Sequence, residues 1–160
     1  MPKSITPNLW FDTQAEEAAE YYCSIFPDSR IHRVTRYTAA GPKPAGTVLT
    51  VDFELQGQRF TALNGGPEFK FDEAVSFLIE CEDQAEIDRY WERLTDGGEE
   101  GPCGWCKDRY GLSWQVVPAA LLELVGDDDP ERAQRTMEAM FQMRKLDIAA
   151  LRAAAEGVAA

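Results

Sequence analysis

Few residues in this chain combine reactive chemistry with a spacing that suggests a site. Cys103 and Cys106 form a C-x-x-C around Gly104-Trp105, a pattern used for thiol redox exchange or for half of a zinc site. Zinc needs two further ligands, and the chain has one histidine, His32. A redox pair needs its first thiol at a helix N-terminus, where the pKa falls. This segment reads instead as an extended stretch running into a turn at Asp108-Arg109-Tyr110-Gly111. The simpler reading is two strand thiols, with redox or metal use as the alternative. His32, isolated on a strand, reads as a surface or edge histidine.

A second set of residues stands out by alternation. Leu9, Phe11, Phe60, Phe77, Ile79, Trp114 and Val116 are the apolar members of period-two stretches and should face covering helices. Their neighbours Thr6, Asn8, Trp10, Arg59, Thr61, Ser76, Leu78, Glu80, Ser113 and Gln115 then share the opposite faces. Neutral hydrogen-bonding groups with an aromatic wall suit a small-molecule pocket. The candidate ligand-binding residues are therefore Thr6, Asn8, Trp10, Thr61, Ser76, Glu80, Ser113 and Gln115; the alternative is a face open to solvent or to a second subunit. Glu80 is the one acid among them. Buried, it would have a raised pKa and could act as a base. Exposed, it is an ordinary strand-end carboxylate. Phe69 and Phe71 read as core or as a lid.

The elements that must position these residues come in two cycles. Ser4–Phe11 reads as a strand, followed by a helix with a Thr13/Glu16 capping box and a stop at Pro27. Ile31–Thr38 is a strand, and Thr47–Leu55 with Arg59–Leu63 forms a hairpin about Gln56-Gly57. The second cycle runs through strand Ala74–Cys81, a helix capped by Asp83 and stopped at Gly97-Gly98, a stretch near Glu99–Pro102, Cys103–Asp108 and strand Leu112–Val117. Shifted by 70, Gln14-Ala15-Glu16 falls on Gln84-Ala85-Glu86, and Leu9 on Ile79. The same strand, cap and helix order makes this a duplicated unit. The expected organisation is a first module over about 4–66, a second over about 74–118 and a helical tail over about 119–157. In the tail, Ala133, Met137, Met140, Phe141 and Arg144 mark one helix face, Asp129 caps that helix ahead of Pro130, and Asp147 caps another.

The 160 residues carry 28 acids against 16 bases, a formal net charge of -12. Nucleic-acid binding needs a basic face, so nucleic acid is excluded as a partner. No apolar run approaches the roughly 20 residues of a membrane span, and Met1-Pro2-Lys3-Ser4 lacks a signal-peptide core, so a cytoplasmic setting with reduced thiols and no membrane partner is expected.

The segments Pro7-Asn8-Leu9-Trp10-Phe11-Asp12, Leu63-Asn64-Gly65-Gly66-Pro67, Ser76-Phe77-Leu78-Ile79 and Cys103 through Pro118 together resemble the PhnB-like family. The Lys107-to-Pro118 block is the most specific, and the resemblance extends to the tail around Lys145–Leu151. The family also carries the label "3-demethylubiquinone-9 3-methyltransferase domain" and belongs to the glyoxalase/bleomycin-resistance/dioxygenase, or vicinal oxygen chelate, superfamily. The resemblance implies an α+β fold of paired βαβββ modules whose curled sheets enclose a cavity, in a homodimer. Superfamily enzymes hold a divalent metal with His, Glu, His and Glu, one per strand. At the corresponding places stand Ile5, Thr6 and Pro7; Phe60, Thr61 and Ala62; Val75 and Ser76; and Gln115. None is His, Asp, Glu or Cys, and a neutral amide is a weak ligand. No metal or other cofactor is expected.

The resulting expectation is a metal-free protein that binds an unidentified small molecule in a sheet-lined cavity, with no catalytic residue assigned. Alternatives are a superfamily lyase, isomerase or dioxygenase, a ligand-free structural dimer, or the methyltransferase of the label. Methyl transfer from S-adenosylmethionine usually needs a glycine-rich turn between a strand and a helix. The cluster Gly97–Gly104 follows a helix and contains Pro102.

Overall fold

The computed structural model describes residues 5–158. Its fold is mixed α+β, with two four-stranded sheets, and the chain divides into two compact units, 1–71 and 72–160. Ser4, where the first strand was expected to begin, lies outside the described residues.

The first unit contains β1 (Asn8–Phe11), α1 (Ala15–Ile25), β2 (Arg30–Arg36), β3 (Val48–Leu55) and β4 (Gln58–Asn64). Its sheet order is β1-β4-β3-β2, with β1 parallel to β4 and the other pairs antiparallel. The first strand is shorter than its alternation suggested. Residues 5–7 are not strand, although the Pro7 carbonyl still accepts from Thr61 N at 3.0 Å. Gln56 and Gly57 both have positive φ, 46° and 86°, as a two-residue hairpin turn requires. Buried Ala15, Ala18, Ala19 and Tyr22 let α1 approach the sheet closely at Val51, Phe53, Phe60 and Ala62. The Phe53 and Phe60 rings stack 5.3 Å apart there.

The expected Thr13/Glu16 capping box is not formed. The helix starts at Ala15 behind Gln14, with no side-chain cap of its own, so Thr13 sits a residue too early. The end of β4 supplies the cap instead. Asn64 Oδ1 accepts from Ala15 N at 2.8 Å, while its Nδ2 donates to Val48 O at 3.2 Å.

The second unit repeats the plan with β5 (Ser76–Cys81), α2 (Gln84–Thr95), β6 (Glu99–Glu100), β7 (Trp105–Lys107) and β8 (Ser113–Pro118), ordered β5-β8-β7-β6. Here the capping expectation is met: Asp83 Oδ1 accepts from Glu86 N at 2.9 Å. Ile87, Tyr90, Trp91 and Leu94 are the buried face of α2. Gly97, at φ 76°, follows the helix end. Asp108 anchors the β7–β8 turn. Its buried carboxylate accepts from Tyr110 N at 2.8 Å, Leu112 N at 3.1 Å and Trp114 Nε1 at 2.9 Å. Tyr110, Leu112 and Trp114, every second residue of the turn and the strand after it, are thereby tied to one carboxylate.

The tail belongs to the second unit. It forms α3 (Leu121–Val125), inside the stretch expected to be helical, then α4 (Pro130–Phe141) and α5 (Ile148–Glu156). Asp129 and Asp147 cap α4 and α5 as expected. The apolar face expected for α4 is wrong. Thr136 is its buried residue and Met140 packs against the Val117–Leu146–Leu151 cluster, while Met137 and Phe141 are exposed and Arg144 lies beyond the helix. Leu146 and Leu151 form the centre of this cluster with Val117, and Met140 and Met143 pack at its edge. Cys103 N donates to Met143 O at 2.9 Å, Gly104 N to Arg144 O at 2.7 Å and Gln84 Nε2 to Leu146 O at 3.0 Å, fixing the tail to the glycine-rich turn and to α2.

Candidate functional site

In the first unit, the sheet face away from α1 carries Asn8 and Trp10 on β1 and Thr61 on β4, with Asn8 directly across from Thr61. Asn8 is exposed, and Thr6 is exposed ahead of the strand. Their neighbours already have partners. Thr61 Oγ1 donates to Asp52 Oδ1 at 2.8 Å, and Trp10 Nε1 donates to Gly66 O at 2.8 Å. The indole lies against Gly65, where a Cβ would come within 2.2 Å of it, and Phe69 meets it edge-on at 4.9 Å. Phe69 is thus not core, being 65% exposed with its ring against Trp10. Phe71 sets its ring against Phe11 at 5.3 Å.

In the second unit the corresponding face is arranged in rows across the strands. Ser76, Ser113 and Lys107 are consecutive register partners, and Lys107 pairs in turn with Glu99. The next row is Leu78, Gln115 and Trp105. Gln115 Nε2 donates to Ser76 Oγ at 2.9 Å. Glu80 pairs with Val117 further along β5 and is exposed, so it stands apart from Ser76 and Ser113 as a strand-end carboxylate.

This row floors a groove of about 490 Å³ whose wall includes Trp105, Pro102, Cys103, Ser113, Lys107 and Phe141. The volume is that of a small-molecule site. Ser113 is 1% exposed, and its hydroxyl makes no hydrogen bond, the kind of unsatisfied buried group that native structures seldom leave. Lys107 forms an ion pair with Glu73. The hydrogen bond between them holds the Glu73 carboxyl below, and the Lys107 ammonium above, its ordinary range. Burial, reinforced by the Asp108 and Glu100 carboxylates, pushes the Cys106 thiol up to about 12. Cys106 is inert at neutral pH, and its neighbour Cys103 sits in a turn at φ 56° rather than on a strand. All four cysteines are free thiols.

Of the eight residues nominated by alternation, the structure pairs Asn8 with Thr61 and groups Ser76, Ser113 and Gln115, with Ser113 in the groove. Trp105, Lys107, Glu73, Glu99 and Phe141 were not nominated. Continuing the alternation back through the Asp108–Gly111 turn places Lys107 and Trp105 on the face of Ser113 and Gln115. Phe141 had no such signal, because its position depends on how the tail packs.

The positions compared with the superfamily's metal ligands include Thr6 and Thr61 in the first unit and Ser76 and Gln115 in the second. The hydroxyls of Thr61 and Ser76 are engaged with Asp52 and Gln115, and among the described residues no three His, Cys, Asp or Glu side chains gather into a metal-holding group. Hydroxyls and a neutral amide are weak ligands for a catalytic metal. No helix among the described residues is long and apolar enough to cross a membrane.

Comparison with known proteins gives a consistent result. A PhnB protein from Bacillus cereus is 35% identical, with a TM-score of 0.65 over 73% of this chain and 100% of its own. A protein from Pseudomonas aeruginosa, 19% identical, shares the fold with a TM-score of 0.60 over 73% of this chain and 98% of its own. So does the fosfomycin resistance protein FosX from Listeria monocytogenes, at 16% identity and a TM-score of 0.50, over 77% of this chain and 98% of its own. No curated protein matches. The family model described as 3-demethylubiquinone-9 3-methyltransferase matches residues 3–117 and so stops short of the tail. The chain therefore belongs to that family, the PhnB-like group.

Proposed function

We propose that this protein binds a small organic molecule in the groove of its second unit, without a catalytic metal. The observation that carries the reading is Ser113: a buried hydroxyl without a partner, on the floor of a groove walled by Trp105 and Phe141. A hydroxyl in that position costs free energy unless something accepts or donates to it, roughly 1–3 kcal/mol for an unmade bond. Ser76 and Gln115 flank it on the same face as further polar contacts, whereas Thr6, Asn8, Trp10 and Thr61 form a separate, weaker candidate face in the first unit. Four free thiols fit a reducing, cytoplasmic setting. Exposed Val75 and Leu78, beside and on the edge strand β5, support a homodimer, which light scattering tests.

Lyase, isomerase or dioxygenase chemistry of the superfamily's metal-dependent type would need ligands that the donor set does not offer. Methyl transfer has no support in the glycine cluster, where Gly97 ends α2 and the chain continues into the short strand β6. Calorimetry with S-adenosylmethionine checks this; micromolar binding would reverse the assignment. Chemical-shift mapping with a panel of small aromatic compounds tests the main reading. Shifts should concentrate at Trp105, Lys107 and Ser113. Shifts confined to Trp10 and Thr61 would place the site elsewhere.

A further inference from the structure

We infer that this groove selects an organic cation with an apolar, aromatic body over a neutral or anionic analogue. The inference rests on the small-molecule reading above and adds the charge class of the ligand. It follows from which charges in the groove are already engaged. The Lys107 ammonium is clasped by Glu73. The Glu100 carboxylate accepts from Trp91 Nε1 at 2.9 Å, on the helix side of the sheet. Glu99 is left. It is exposed at the groove, opposite Lys107 in register, and makes no ion pair or side-chain hydrogen bond among the described residues. Glu99 also feels the Lys107 ammonium through space, but that one cation faces the carboxylates of Glu73, Glu99 and Glu100, so the groove's balance is negative. An anion would have to separate Lys107 from Glu73 and then sit beside Glu99.

The acidic rim is joined by two independent features. Ser113, buried and unpartnered, lies in the same row as Glu99, two strand spacings away through Lys107, about 10 Å in all. Trp105 and Phe141 line the groove alongside this row, and an ammonium near an aromatic face gains a further attraction. The ligand so described places its ammonium at Glu99, its flat body on Trp105 and Phe141, and a polar atom at Ser113. Phe141 lies in α4, beyond residue 117 where the family match ends.

The test is a calorimetric titration of the intact protein with three matched probes: 2-naphthylmethylamine, 2-naphthalenemethanol and 2-naphthoate. The amine should bind tightest, by about threefold or more over the alcohol, and the carboxylate weakest. Glu99→Gln should abolish the amine's advantage and leave the alcohol unchanged; Glu99→Lys should reverse the order of amine and carboxylate. Glu99 is exposed on a two-residue strand, so both variants should fold, as a melting curve verifies. If amine and alcohol bind equally, or Glu99→Gln leaves the preference intact, the charge class is wrong while the groove stands. If none of the three binds, or Phe141→Ala weakens none of them, the small-molecule reading itself fails.

Discussion

The two units share one plan and use it differently. Each has a strand, a helix and three strands, with the first strand parallel to the last. In the first unit β2, β3 and β4 run seven to eight residues and the open face satisfies its own polar groups. Trp10 rests on Gly65 and donates to Gly66, and Thr61 donates to Asp52. In the second unit β6 and β7 have shrunk to two and three residues. The glycine-rich turn left in their place is where the tail attaches, through Cys103 and Gly104. The short strands leave less sheet surface, the tail supplies one wall through Phe141, and the groove lies between them. The two units keep one scaffold, and under the proposed function only the second offers its open face to a ligand.

The largest effect should come from Asp108→Ala, which strips three buried or half-buried donors of one acceptor. A loss of about 3 kcal/mol or more is expected in urea unfolding. Hydrogen exchange should show the loss in second-unit amides; equal loss in the first unit would break the separation between the two. Next is Gly65→Ala. Its Cβ would drive into the Trp10 indole, costing about 1–3 kcal/mol and shifting tryptophan fluorescence, with probe binding in the second unit unchanged.

Thiol labelling gives a smaller, cleaner contrast. Burial pushes Cys81 and Cys106 up to about 12, leaving about one thiolate in ten thousand at pH 8. Both should stay silent until the protein unfolds, while half-buried Cys103 labels in the native state. The smallest effect is at Glu73. Its folded pKa is depressed by Lys107, so the ion pair stabilises the fold above the ordinary Glu range and is lost as the pH falls through the lower folded value. A carboxyl titration by NMR should find Glu73 below the ordinary Glu range, and Lys107→Met should raise it toward that range.

Much of this comparison is legible in the residues. Alternation identified the open faces, the 70-residue offset identified the repeat, and Asp83, Asp129 and Asp147 declared their helices because a cap is a local interaction. The failures were non-local. Thr13 lost its capping role to Asn64, which lies 49 positions along from Ala15, the residue it caps. The α4 face was misassigned because Leu146, beyond that helix, fills the core. Phe141 and Glu73 reach the groove only through tertiary packing, which no periodicity encodes.

The central claim is that the second unit, and not the first, holds the ligand. Each unit displays one exposed phenylalanine by its open face, Phe69 and Phe141. Titrating 2-naphthylmethylamine into Phe69→Ala and Phe141→Ala decides the matter directly. The account predicts weakened binding with Phe141→Ala and native affinity with Phe69→Ala. Native affinity with Phe141→Ala and a loss with Phe69→Ala would contradict it.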